Sequence, residues 1–206
     1  MLKKMKSFKH NNKNNFLAGW YINKKICFEM IKYFNITKET PAGIKHDGSI
    51  GGPEGNFLID KKIKNSSDLP IFPDTTDDIP KRYLDELAKV MHEYKIKYPW
   101  SDQNHAAWRM TESFNIQRYP KKGGFFKWHF ERTGNSAFLK RHLVFMTYLN
   151  TVKKGGYTEF LHQKIKVKPE TGLTLIWPSD WTFTHRGVAA PTEIKYIATG
   201  WYAYDV

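Results

Sequence analysis

Apolar residues recur every fourth position from Ile22 through Ile26 and Met30 to Phe34, while Lys24, Lys25 and Lys32 fall off that stripe. With 3.6 residues to a helical turn, this spacing predicts an amphipathic helix over Trp20 to Phe34. A second stripe, Tyr83, Leu84, Leu87, Val90, Met91 and Tyr94, predicts another helix running to about Lys97. Asp77 or Asp78 supplies its N-cap, and Pro80 falls in the first turn, where its missing N–H has no helical partner to lose. Residues 35 to 75 lose the period and hold Gly43, Gly48, Gly51, Gly52 and Gly55, which reads as loops around short strands, Phe57 to Lys64 among them.

From Phe114 the texture changes to short segments rich in Val, Ile, Thr and aromatic residues, punctuated by Gly, Pro and Asn. The strands expected are Phe114 to Tyr119, Phe125 to Arg132, His142 to Asn150, Tyr157 to Leu161, Ile165 to Lys168, Leu173 to Trp177, Phe183 to Val188 and Ile194 to Tyr204. Strands so closely spaced predict a mainly β fold. The expected arrangement is two packed antiparallel sheets, a jelly roll, with the N-terminal helices bracing the outside of one sheet.

A chain of 206 residues suits one core, so a single domain is expected, with residues 1 to 113 as helical support and loops and 114 to 206 as the β core. The rings, 7 Trp, 11 Tyr and 14 Phe, belong to a folded protein and exclude a disordered one. The single cysteine, Cys27, excludes a disulfide framework and a cysteine zinc cluster, so any metal must rest on His and carboxylate. Lys3, Lys4 and Lys6 are followed by an Asn-rich stretch rather than an apolar one, and no apolar run has the roughly 18 residues of a membrane span, which predicts a cytoplasmic protein with no membrane contact. Net charge is +13, which favours an anionic partner such as nucleic acid or an acidic protein surface. Nine Lys against two Glu place much of that excess in residues 1 to 40, away from the β core, so nucleic acid is the less favoured partner. No G-K-[ST] follows Gly51 and Gly52, which excludes a P-loop there.

The chemistry concentrates in Trp128-His129-Phe130-Glu131. Residues two apart on a strand share a face, so His129 and Glu131 can converge on one ion. His185, in Phe183-Thr184-His185-Arg186-Gly187, is the candidate third ligand. Two histidines and one carboxylate on one face of an octahedron leave positions for a chelating cosubstrate and oxygen, which suits non-haem Fe(II). Taken alone, the three also read as ordinary histidines and an acid in a chain with eight His. By alternation Lys195, Ile197, Thr199, Trp201 and Ala203 share a largely apolar face, and a lysine buried there requires an anionic partner.

These residues lie in a wider pattern. Tyr119 stands ten residues before His129, and Tyr148 lies in Thr147-Tyr148-Leu149-Asn150. Gly155-Gly156 with Thr158-Glu159-Phe160 is similar to a G-G-E-T-x-F turn, and Val167-Lys168-Pro169 to Gly172 with Leu175-Ile176-Trp177 to a V-x-P-x-x-G strand pair. Lys195 follows His185 by ten. On these residues the stretch Phe114 to Val206 resembles the Fe(II)/2-oxoglutarate-dependent dioxygenases, and within them the prolyl 4-hydroxylase-like branch. The resemblance implies a double-stranded β-helix core, with His129, Glu131 and His185 as iron ligands and Lys195 as the residue for the distal carboxylate of 2-oxoglutarate. Tyr119, Tyr148, Thr199 and Trp201 then stand around that cosubstrate. Glu131 departs from the usual aspartate.

The implied reaction consumes O2 and 2-oxoglutarate, with ascorbate as a supporting reductant, hydroxylates a C–H bond and releases succinate and CO2. A prolyl residue of a protein or peptide is the implied substrate. Two other readings stand beside it: a hydroxylase of a free amino acid or small metabolite, and a catalytically silent jelly-roll binding module. A nucleobase demethylase ranks lower, because Lys195 is the next basic residue after Arg186. Arg141, Trp128, Arg132 and the loop Gly43 to Gly55 are candidates for the substrate entrance. His10, His46, His92, His105, His142 and His162 read as bystanders.

Overall fold

The computed structural model describes residues 5–10, 15–52, 56–103 and 106–205. Lys3, Lys4, Gly55 and His105 therefore lie outside the described residues. The chain enters with β1 (Ala18–Tyr21) and α1 (Lys24–Ile36); β2 (Glu39–Thr40) and β3 (Gly43–Ile44) form a hairpin, β4 (His46–Asp47) follows, and β5 (Ile50–Gly51) and β6 (Phe57–Leu58) form a second hairpin. Then come β7 (Ser67–Ile71), α2 (Asp78–Lys97), β8 (Trp108–Arg109), β9 (Phe114–Tyr119) and β10 (Arg141–Tyr148). The rest is β11 (Thr158–Phe160), β12 (Ile165–Val167), β13 (Leu173–Pro178), β14 (His185–Gly187) and β15 (Lys195–Tyr204).

The first helix starts later than its apolar stripe predicts. Asn23 sets the boundary: it is extended, and its side chain accepts from the Lys25 N–H at 2.9 Å. Trp20 and Tyr21, expected in the helix, pair instead with Thr174 and Leu173 of β13. The second helix begins as expected, but the Asp77 carboxylate accepts from the Tyr33 hydroxyl of α1 rather than capping its own N-terminus, so the expected cap is a tie between helices. The predicted strand Phe57 to Lys64 ends after Leu58. Asp60 turns the chain, its side chain accepting from Lys62 N–H at 2.8 Å and its carbonyl from Lys64 N–H at 2.8 Å.

The major sheet runs β1-β13-β10-β15-β9-β7-β4, with β8 also on β15; the minor sheet is β12-β11-β14. Strand alternation sorts side chains into two cores. Leu143, Phe145, Ile176, Ala198 and Tyr202 face the helices and meet Ile26, Met30, Tyr83, Leu87 and Val90. Val144, Met146, Tyr148, Leu175, Trp177 and Ile197 face the minor sheet and meet Phe160 and Val167. Each such fully buried side chain contributes about 1.5–3 kcal/mol. This is the double-stranded β-helix with helices bracing one face. Gly200 is required by the helix-side packing, since a Cβ there would stand 2.6 Å from the Phe114 Cβ and 2.8 Å from the Phe145 Cζ.

No helix among the described residues is long and apolar enough to cross a membrane.

Candidate metal centre

The space between the two sheets holds His129, Glu131 and His185, whose donor atoms all lie within 4.8 Å of one another. His185 opens β14, which pairs with β11, His185 opposite Phe160. The segment carrying His129 and Glu131 differs from the predicted strand Phe125 to Arg132. Its backbone meets β14 at the His129–His185 bridge, His129 N–H to His185 O at 3.0 Å and His185 N–H to His129 O at 2.8 Å, and again where Gly187 N–H donates to the Phe125 carbonyl at 2.8 Å. Two residues on, Glu131 and Arg132 direct their N–H groups to the Ser179 carbonyl, at 3.1 and 2.9 Å. A segment that changes partner within two residues cannot extend a ladder, yet it remains extended enough to present both side chains.

Each imidazole is oriented by its other nitrogen. Nδ1 of His129 lies 3.0 Å from the Lys127 carbonyl and Nδ1 of His185 2.9 Å from the Phe183 carbonyl, so each Nδ1 carries the proton and each Nε2 of the neutral ring presents a lone pair. Both Nε2 atoms stand 3.5 Å from Oε1 of Glu131. Burial, with His185 close by, holds the His129 pKa below its ordinary value. Three electron-pair donors therefore face one point, an arrangement that is repulsive without a cation between them. Cis ligands with bonds of about 2.1 Å sit about 3 Å apart, so a small contraction closes the set around a first-row divalent ion. Three protein ligands leave coordination positions open, as a catalytic site requires. The ring of Phe125 stacks on His129 at 3.7 Å and 11°, and Trp177 and Phe160 wall His185.

Lys195 begins β15 and is 3% exposed. Its Nζ donates to the Gly156 carbonyl at 3.2 Å and lies 4.8 Å from the centroid of the Tyr119 ring; among the described residues no carboxylate pairs with it. Desolvation lowers its pKa from 10.5 to about 8. Gly187, on the same face of β14 as His185, lets the strand pass close to Phe125 and Lys195: a Cβ there would stand 3.3 Å from the Phe125 backbone N and 3.7 Å from the Lys195 Nζ. The other residues expected around a cosubstrate divide. The Tyr119 hydroxyl donates to Gln117 Oε1 at 2.7 Å and Tyr148 to Thr158 Oγ1 at 2.6 Å, both buried. Thr199 donates to the Phe145 carbonyl at 2.9 Å, so its hydroxyl is engaged along the sheet rather than at the Lys195 ammonium. Trp201 stands against the metal carboxylate, its Nε1 donating to Glu131 Oε2 at 3.0 Å.

Arg141 is buried at the centre rather than lining an entrance. Its guanidinium forks onto Glu112 at 2.8 and 2.7 Å, donates to Glu131 Oε2 at 3.3 Å, and lies 3.5 Å from the Trp201 ring centroid. Arg132 pairs with Asp180 at 2.9 Å, and Arg186 with Glu159 at 2.9 Å while lying over Trp128. A charge opening an otherwise apolar strand was the signal at Arg141; nothing in the sequence around Glu112 singles it out. Gln117 was missed as well, and links Tyr119 to Asp68, to which its Nε2 donates at 3.1 Å.

Comparison with known proteins places this geometry. Residues 114–203 match the 2OG-Fe(II) oxygenase superfamily. No curated protein matches the chain. Among solved structures, the chain is similar to the collagen prolyl hydroxylase of Paramecium bursaria Chlorella virus-1, at a TM-score of 0.65 and 16% identity over 94% of this chain and 98% of that one. It is similar to a Pseudomonas putida prolyl-4-hydroxylase at 0.66 and 13%, over 92% and 93%. A Trichoplax adhaerens prolyl hydroxylase, solved in complex with a hypoxia inducible factor peptide, gives 0.69 and 16%, over 92% and 84%. The sequence match thus covers residues 114–203, and the likeness to these prolyl hydroxylases over nearly the whole chain is one of fold.

Proposed function

We propose that this protein is an Fe(II)- and 2-oxoglutarate-dependent dioxygenase that hydroxylates a prolyl residue of a protein or peptide. The observation that carries the reading is Lys195, a buried ammonium that borders Gly187 on the strand carrying His185 of the two-histidine, one-carboxylate cluster, and that pairs with no carboxylate among the described residues. A dicarboxylate bridging the two satisfies both: one end chelates the metal, and the other neutralises a cation whose burial is otherwise uncompensated.

His129, Glu131 and His185 hold the metal in this reading. Lys195, over the Tyr119 ring and beside Gly187, receives the distal carboxylate. When bound, iron and 2-oxoglutarate supply the oxidising chemistry: one oxygen atom of O2 enters a substrate C–H bond, the other leaves in succinate, and CO2 is released. The chain's own contribution is to orient the two imidazoles through their Nδ1–H bonds, to keep the cavity dry behind Phe125, Phe160 and Trp177, and to fix the carboxylate.

A macromolecular substrate is supported by Trp181, 61% exposed in the short helical turn that leads to His185, and by the +13 charge, which suits an acidic peptide. The relatives of like fold named above are prolyl hydroxylases, one of them solved with a peptide. The test is succinate release and mass spectrometry over a panel of acidic and basic prolyl peptides, free proline and other free amino acids. Oxygen addition to prolyl peptides, favouring acidic ones, is expected. Turnover with free amino acids alone would make this a small-metabolite hydroxylase, and no turnover under any condition would leave a binding module.

A further inference from the structure

Glu131 carries one methylene more than the aspartate usual in this position, and with it one more rotatable bond to immobilise. The surroundings treat its two oxygens differently. Oε1 faces both imidazole Nε2 atoms at 3.5 Å. Oε2 points away and accepts from Trp201 Nε1 at 3.0 Å and Arg141 Nη1 at 3.3 Å. Nη1 of Arg141 also reaches the Glu131 backbone carbonyl at 3.3 Å, so the guanidinium grips both ends of the residue. Arg141 is itself immobile: its side chain is 8% exposed, it is forked onto Glu112, and it lies over the rings of Trp201 and Phe138 at 3.5 and 4.3 Å.

We infer that Arg141, anchored by Glu112 and backed by Trp201, is a positioning residue that ties down Oε2 of Glu131 and so presents the longer carboxylate to the metal through Oε1 alone. The inference rests on the reading of His129, Glu131 and His185 as metal ligands. The clamp does for glutamate what a shorter side chain does for aspartate. It limits the carboxylate to one ligand atom and leaves the remaining positions for cosubstrate and oxygen. A fork at Glu112 and a third nitrogen at Glu131 require the planar guanidinium; a lysine point charge cannot serve both.

The test is Co(II) binding to the metal-free protein, read by ligand-field absorption in wild type, Arg141→Met, Trp201→Phe and Glu131→Asp, with thermal melting to establish folding. Removing a residue that orients a metal ligand typically weakens the metal by about 10–100-fold. Arg141→Met is expected to fall in that range and to change the band shape, because the freed carboxylate can turn or chelate through both oxygens. Trp201→Phe, which keeps the ring and loses one donor, is expected to do the same to a smaller degree and serves if Arg141→Met does not fold. In the Glu131→Asp background, where the shorter carboxylate cannot reach metal and clamp together, Arg141→Met is expected to cost less than about twofold.

Unchanged affinity and spectrum in folded Arg141→Met and Trp201→Phe would overturn the inference. So would a loss from Arg141→Met that is equal in the wild-type and Glu131→Asp backgrounds. Wild type that binds no Co(II) through the three residues would remove the metal reading beneath it, a result distinct from triad-dependent binding that ignores Arg141.

Discussion

His129 and His185 are joined backbone to backbone by a single bridge, 3.0 and 2.8 Å, which brings their rings to 4.3 Å between centroids without a strand pair around them. The spacing of the two imidazoles is therefore set by main chain, not by the rings themselves. His129→Ala should keep the fold, losing no more than about 1–2 kcal/mol with the Phe125 stack, while abolishing tight metal binding. Urea unfolding beside metal titration checks this. A variant that unfolds, or one that binds metal as wild type does, contradicts it.

On the proposed reading, Lys195 makes cosubstrate binding pH-dependent. Its pKa of about 8 lies below the ordinary lysine value, so the ammonium that a carboxylate needs is lost as pH rises through 8. Affinity for 2-oxoglutarate should be full below about pH 7 and roughly tenfold weaker at pH 9, as mass action on the protonated fraction requires. Calorimetric titration across that range measures it. Lys195→Arg should flatten the profile, and a wild-type profile flat to pH 9 would contradict the assignment.

Gly187 lets the backbone pass close to Phe125 and Lys195. A valine there would carry methyl groups beyond a Cβ already 3.3 Å from the Phe125 backbone N and 3.7 Å from the Lys195 Nζ. Overpacking costs about 1–3 kcal/mol, which on the proposed reading weakens 2-oxoglutarate by about fivefold or more. Metal affinity should fall less, since the Nδ1 bonds of both imidazoles run to Lys127 and Phe183 and this residue borders only Phe125, the ring stacked on His129. Equal losses of metal and 2-oxoglutarate would instead indicate general distortion.

Lys64 and Asp68 form a buried pair at 2.6 Å, with side chains 5% and 3% exposed, and Asp68 also accepts from Ser66 and Gln117. Removing one partner strands a buried charge. Asp68→Ala should cost about 3–5 kcal/mol in urea unfolding, and Lys64→Met/Asp68→Leu much less. A single-variant loss under about 1 kcal/mol would contradict this.

Much of the fold was legible because alternation in the strands is unambiguous where one face meets the helices and the other the minor sheet. Phe114 to Tyr119 was read to the residue, and Leu173 to Trp177 within one. The candidate metal cluster was legible in part: His129 and Glu131 stand two residues apart, while His185 lies 54 residues further on and meets them through its backbone bridge to His129. What failed were boundaries set by single contacts. Trp20 and Tyr21 adjoin the helical stripe that starts at Ile22, and only pairing with β13 makes them strand. Phe125 to Arg132 has strand composition, but its backbone makes only isolated bridges, Phe125 with Lys64 and His129 with His185, and then turns to Ser179. Glu112 and Gln117 act through partners distant in sequence, Arg141 and Asp68, and ordinary polar residues give no local sign of such a role.

The most direct measurement is an anaerobic titration of the metal-free protein with Fe(II) and 2-oxoglutarate, followed by visible absorption, in wild type and in His129→Ala, Glu131→Ala and Lys195→Ala. The expected result is a metal-to-ligand charge-transfer band in wild type, lost in the His129 and Glu131 variants, and reached in Lys195→Ala only at much higher 2-oxoglutarate. Folded wild-type protein that gives no band at saturating iron and 2-oxoglutarate would contradict the dioxygenase reading.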